Sequence, residues 1–161
     1  MSHCCVLIPF KNQQHNHESC KKAALAEAES ACKASGLKLT RIRRQVLELV
    51  WGSHAPVKAY DILERLQQQN PKAVPPTVYR ALEFLQQAGL VHRLESLNAY
   101  VGCGKPREPH IGQFLICQGC GAVAEINEPK ITELLTEQAA QLGFETRQQL
   151  VELKGFCPQC A

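Results

Sequence analysis

Apolar residues recur at helical spacing through the first half of the chain and in short strand-like runs after Gly89. Ala23, Ala24, Leu25, Ala28, Ala31 and Cys32 predict a helix over about 20–35 that Gly36 ends. Thr40 is placed as the N-cap of a second helix. There Ile42, Val46, Leu49 and Val50 share one face while Arg41, Arg43 and Arg44 turn elsewhere. A third helix over 58–69 centres on Ile62, Leu63 and Leu66, and Asn70-Pro71 stops it. Pro75-Pro76 opens a fourth, since a first-turn proline forgoes no helical hydrogen bond, and Gly89 closes it. The period then shortens: 90–94 and 99–101 are β-rich and separated by Ser96-Leu97-Asn98, the pattern of a hairpin. Strands over 113–117 and 122–126, a helix over about 129–142 and a strand over about 145–153 complete the series. Residues 1–18 show neither period and are read as a flexible tail; 102–109, rich in Gly, Lys, Pro and Arg, read as a hinge.

Several short helices followed by a hairpin is the pattern of a winged helix-turn-helix. The fold class is therefore α+β: a winged helix-turn-helix domain over 19–101, the hinge over 102–109, and a small α/β domain over 110–161. Charge sharpens the division. Residues 36–95 carry nine Lys/Arg against five Asp/Glu, whereas 109–161 carry three against six, so only the first part is suited to a polyanion. With 161 residues shared between two modules, neither core is large, and an added staple is expected.

The cysteines supply that staple. Nine is an odd count, against a fully paired disulfide framework. The apolar run over 4–10 lacks a preceding basic region and falls short of a signal-peptide core, and no later run approaches a membrane span. A soluble, cytoplasmic protein is expected, in whose reducing surroundings paired cysteines serve metals or redox chemistry. Cys117-x-x-Cys120 and Cys157-x-x-Cys160 form two such pairs, and four thiolates suit a tetrahedral structural zinc. A thioredoxin-like dithiol is the alternative, but neither pair follows a βαβ unit. His3, Cys4, Cys5, His15 and His17 give the tail metal-binding residue types without a defining spacing.

In the helix opened by Pro76, Val78, Ala81, Leu82 and Leu85 share the inward face, leaving Thr77, Tyr79, Arg80 and Glu83 to project outward. Arg80 has the fork geometry for a guanine edge, and Thr77 and Tyr79 suit phosphate or thymine methyl groups. Lys58, Tyr60, Arg43 and Arg93 are further candidates for backbone contacts. Such a fold also serves as a protein-docking module, so a zinc-stabilised adaptor remains a rival. No nucleophile, base and oxyanion set is identifiable, so no enzymatic activity is expected. His92, Cys103, His110 and Glu125 surround the hinge, yet spacing alone does not select them as a site.

The ordered motifs Gly36-Leu-Lys-Leu-Thr40, Ala59-Tyr60-Asp61, Pro75-Pro-Thr-Val-Tyr-Arg-Ala-Leu82, Gly89-Leu-Val-His92, Cys117-x-x-Cys120-Gly121 and Cys157-x-x-Cys160 span nearly everything after Cys20. In this series the chain resembles the ferric uptake regulator family, above all its zinc-responsive branch. The resemblance implies a structural zinc at Cys117, Cys120, Cys157 and Cys160, and a regulatory zinc at His92, Cys103, His110 and Glu125. It also implies DNA contacts from Tyr60 and Arg80, a homodimer formed through the C-terminal domains, and repression at AT-rich palindromic operators of zinc-uptake genes. Iron- or peroxide-responsive regulators of the same family are the nearest alternatives. Where the iron-sensing branch carries a histidine-rich hinge, 102–112 here offers only Cys103 and His110, which favours zinc. Where relatives often place proline after the N-cap threonine, this chain has Arg41.

Overall fold

The computed structural model describes residues 5–11, 16–53 and 55–161. They divide into two units: one joins the described residues up to Phe10 with Pro109–Ala161, and the other is Lys11–Glu108.

The second unit holds four helices and a hairpin: α1 (His17–Ala34), α2 (Arg41–Val50), α3 (Ala59–Gln69), α4 (Pro75–Gln87), β2 (Val91–Leu94) and β3 (Ala99–Gly102). Three of the four helix starts have a local cause. The Asn16 side chain accepts from the Glu18 amide at 3.0 Å, and Thr40 Oγ1 accepts from the Arg43 amide at 3.5 Å, so Arg41 leaves the α2 start intact. Pro75 and Pro76 occupy the first positions of α4. At its end Gly89 takes φ 69°, a left-handed conformation that turns the chain so the Leu90 amide donates to Leu85 O at 2.8 Å. The core gathers Leu25, Ala28 and Cys32 of α1, Val46, Leu47 and Val50 of α2, Ile62 and Leu66 of α3, and Val78, Leu82 and Leu85 of α4. Beneath them lie Leu90, Val91 and Tyr100, the last bridged by its backbone to Val57.

The other unit is a four-stranded sheet in the order β1-β5-β4-β6, built from β1 (Cys5–Ile8), β4 (Gln113–Cys117), β5 (Val123–Asn127) and β6 (Val151–Gly155), with α5 (Pro129–Gln141) between β5 and β6. β4 and β5 are antiparallel, whereas β6 runs parallel to β4, a pairing that needs a crossover, here α5 and the segment after it. Gln113 fixes where that crossover starts. Buried at 1% exposure, its amide donates to Glu128 O (2.9 Å) and Thr132 Oγ1 (3.2 Å), while its Oε1 accepts from the Glu128 amide (2.9 Å). Every polar atom of this buried side chain is thereby engaged at the start of α5.

Three sequence expectations change. Instead of a flexible tail through residue 18, Cys5–Ile8 is a strand antiparallel to β5, and α1 already begins at His17. The apolar run over 5–8 is too short to show a period, and its partner lies far along the chain. The last strand occupies Val151–Gly155 and not 145–153, because β4 offers ladder positions only to that stretch, from Gln113 opposite Val151 to Cys117 opposite Gly155. Gly102, expected to open the hinge, is instead the last residue of β3. Of the tail residues with metal-binding chemistry, His3, Cys4 and His15 lie outside the described residues; Cys5 starts β1 and His17 starts α1.

Deleting residues 1–8 should speed amide hydrogen exchange in β5 at the positions whose amides face β1, leaving α2–α4 unchanged. Unaltered β5 protection would show that β1 does not pair there in solution.

Candidate functional site

Cys117 closes β4, and the loop after it is folded by two backbone bonds: the Cys117 amide to Ala122 O at 2.9 Å and the Gly121 amide to Cys117 O at 3.0 Å. Cys157 follows β6 in a second tight loop, with the Cys160 amide donating to Cys157 O at 2.9 Å. Because β6 runs parallel to β4, both loops leave the same end of the sheet, and the Gln118 amide donates to Gly155 O at 2.8 Å between them. The four sulfurs consequently lie within 4.8 Å of one another. Cys120 Sγ and Cys157 Sγ are 3.8 Å apart, far beyond a disulfide bond. That separation matches two thiolates sharing one tetrahedral ion, which at Zn–S of about 2.3 Å stand roughly 3.8 Å apart. The loops are also closely apposed: a Cβ on Gly119 would stand 2.9 Å from Cys160 Cβ and 3.0 Å from Cys160 Sγ.

Electrostatics fits the same occupant. Amides of Cys120 and Cys157 aimed at the Cys117 sulfur hold its thiol down to about 6, the Cys157 amide at 3.3 Å. Cys160, in contrast, hydrogen-bonds to the Cys157 and Cys120 sulfurs and is pushed up to about 12. Four sulfurs this close resist full ionisation unless a cation takes the place of the protons, and a divalent ion does so. The donor set and spacing fit zinc.

The four hinge-flanking residues fall into two pairs, one in each unit. In the helical unit, His92 lies on β2 opposite Val101, and Cys103 follows β3, buried at 4% exposure, its amide donating to Leu90 O at 3.0 Å. In the sheet unit, His110 Nε2 lies 2.8 Å from Glu125 Oε1, with their side chains 4% and 1% exposed. Glu125 is on β5, opposite Phe114 of β4 on one side and Ile8 of β1 on the other. A buried carboxylate is costly unless a proton, a hydrogen-bond donor or a cation compensates it, and His110 supplies one such partner.

On the outer surface of the helical unit, Arg80 is exposed near the start of α4, Tyr79 is 57% exposed and Tyr60 of α3 is 67% exposed, while Thr77 is half-buried. Lys58, preceding α3, is exposed. Two of the weaker candidates are engaged within the protein. Arg43 donates to Lys38 O at 2.7 Å with its guanidinium 3.5 Å from the Phe84 ring centroid. Arg93 donates to Asn98 Oδ1 at 2.9 Å and stands 3.8 Å from Glu95. Sequence reasoning did not identify the role of Gln113, whose only signal was a polar residue opening an apolar strand.

The profile of the Ferric uptake regulator family matches residues 34–154. The chain is 40% identical over 137 residues to the zinc uptake regulation protein of Escherichia coli (strain K12), covering 84% of this chain and 80% of that protein. Among solved structures, it resembles a zinc uptake regulator complexed with zinc and DNA at a TM-score of 0.82 and 38% identity, covering 86% of this chain and 93% of that one. The holo form of XcZur gives a TM-score of 0.79 and 40% identity, with 86% and 96% covered.

The Cys117 thiol makes a pH prediction. Because its pKa is depressed, the thiolate is present above about 6 and lost as pH falls through that value. Thiolate absorbance of the folded, metal-free protein should show a step near pH 6 that disappears in Cys117→Ser. Absorbance rising only in the ordinary thiol range would remove the hydrogen-bonded thiolate.

Proposed function

The chain belongs to the ferric uptake regulator family, and we propose that within it the chain is a zinc-responsive transcriptional repressor that binds, as a zinc-loaded homodimer, to AT-rich palindromic operators of zinc-uptake genes. The observation that carries this reading is the likeness, over 86% of the chain, to a regulator solved with both zinc and DNA. The family is one of regulators, and the chain acts by binding without turning over a substrate. Among the described residues no helix is long and apolar enough to cross a membrane, and the reading places the protein in the cytoplasm.

In this reading α1 to β3 form the winged-helix reader, 103–108 the hinge, and 109–161 together with β1 the dimerisation domain. Cys117, Cys120, Cys157 and Cys160 hold a structural zinc that clips the C-terminal loop to the end of β4. Zinc bound there supplies charge and a fixed tetrahedral geometry without redox chemistry. Dimerisation is supported by α5, which buries no residue within its own chain and leaves Leu134 and Leu135 exposed. Leu142, Phe144, Leu153 and Phe156 add to the apolar surface of the same unit. Exposed apolar surface on this scale is what an obligate partner covers, and a second copy meets it symmetrically.

His92, Cys103, His110 and Glu125 are the regulatory ligands. The unit boundary between Glu108 and Pro109 falls between the two pairs. Their sulfur, two imidazoles and carboxylate form a set that suits zinc and disfavours hard cations. Ligating both pairs restrains the readers of the dimer to the angle at which both half-sites are met, a coupling of about 1–3 kcal/mol. Arg80, Tyr79 and Thr77 of α4 enter the major groove, and Tyr60 contacts the backbone.

A mobility-shift titration on AT-rich palindromes with zinc, iron(II) and chelator in parallel tests the reading. Retention is expected with zinc alone; equal retention with iron(II) would assign the chain to the iron branch, and none with zinc would sink the repressor. Cys103→Ser should bind operator with little zinc dependence while keeping one zinc per chain and the dimer. Unchanged zinc dependence would exclude Cys103 from sensing. Arg80→Ala should weaken operator binding by about 1–3 kcal/mol, roughly 5- to 150-fold, with zinc content unchanged. Equal affinity in that variant would remove Arg80 from the reading surface.

A further inference from the structure

Trp51 is the chain's only tryptophan. It caps the C-terminal end of α2, its amide donating to Leu47 O at 3.0 Å. The indole lies across Gly102: a Cβ built there would overlap Trp51 Cε2, Cζ2 and Nε1. Carbon atoms pack at about 3.5–4.0 Å, and an indole is a rigid ring that gives way only by turning as a whole. Gly102 is absent from the residues with positive φ, so the ring, not a left-handed backbone, excludes a side chain at this position.

The next residue is Cys103. Gly102 pairs with Val91 across the hairpin, and the Cys103 amide continues the contact to Leu90 O. The backbone that presents the thiol is thus held by the β2 ladder and, at Gly102, by the indole. Trp51 in turn extends from α2, whose Val46, Leu47 and Val50 share a core with Val78, Leu82 and Leu85 of α4. We infer that Trp51 is a positioning residue for Cys103: seated on Gly102, it sets where the thiol is presented and ties that position to α2 and, through the common core, to the reading helix α4. The inference rests on the regulatory reading of Cys103 given above. An indole that merely filled space would support stability and leave cation affinity alone.

The test uses the full chain with its structural zinc in place, titrated with a second equivalent of zinc against a competing chelator. Trp51 emission should change with that second equivalent, and the change should be absent in Cys103→Ser. Gly102→Ala should weaken the second zinc about tenfold or more, as loss of support around a ligand does, leaving the first zinc unaffected. Trp51→Leu alone should weaken the second zinc likewise, because the smaller side chain no longer rests on Gly102. If Trp51→Leu or Gly102→Ala binds the second zinc like the wild type, Trp51 has no positioning role. Should Gly102→Ala fail to fold, Trp51→Leu alone decides: weakened second-zinc binding with unchanged first-zinc binding supports the role, and wild-type affinity overturns it. Retention of the second zinc by Cys103→Ser would sink the regulatory reading and this inference together. Its loss in Cys103→Ser beside wild-type binding in the other variants sinks only the inference.

Discussion

The parallel ladder between β4 and β6 is the constraint from which the sheet unit follows. Antiparallel neighbours would have delivered the two cysteine loops to opposite ends of the strands. Parallel pairing delivers Cys117 and Cys157 to the same end, with Cys117 opposite Gly155. Such pairing demands a crossover, and α5 with the segment after it provides one. The crossover helix buries none of its residues fully in its own chain, and Leu134 and Leu135 stay exposed at 57% and 46%. One topological choice therefore creates both the thiol cluster and the apolar surface.

Buried polar groups in the same unit divide by purpose. Gln113 is neutral and fully satisfied, and its hydrogen bonds go to the start of α5, so it acts as a structural clamp. Glu125, one strand over, faces the imidazole of His110 at 2.8 Å. Such a carboxylate invites replacement of a proton by a cation, whereas the amide of Gln113 offers no such exchange. Two equally buried side chains on adjacent strands thus have different chemical prospects.

Legibility in the sequence followed the range of the forces involved. The helices of the reader were readable because a 3.6-residue apolar period and local stop and start signals, Thr40, Pro75 and Gly89, act within one or two turns. The cysteine pairs were readable by spacing, since each loop is local. β1 was not, because Cys5 finds Asn127 only after the sheet has formed. The alternation of β6 begins before its ladder does, because its extent is limited by β4. The nearness of His110 to Glu125 likewise depends on tertiary structure, and it was the family resemblance, not spacing, that paired them. Trp51 against Gly102 left no sequence signal at all: neither residue type at its position announces the other.

The strand at the start of the chain alters the connectivity between the two units. With β1 counted in the sheet unit, the polypeptide crosses from one unit to the other twice, after Phe10 and again after Glu108. A single linker leaves the joined bodies the full freedom of one swivel; a second turns the assembly into a closed loop, and loop closure removes chain entropy in advance. A protease cut at either crossing still leaves the other intact.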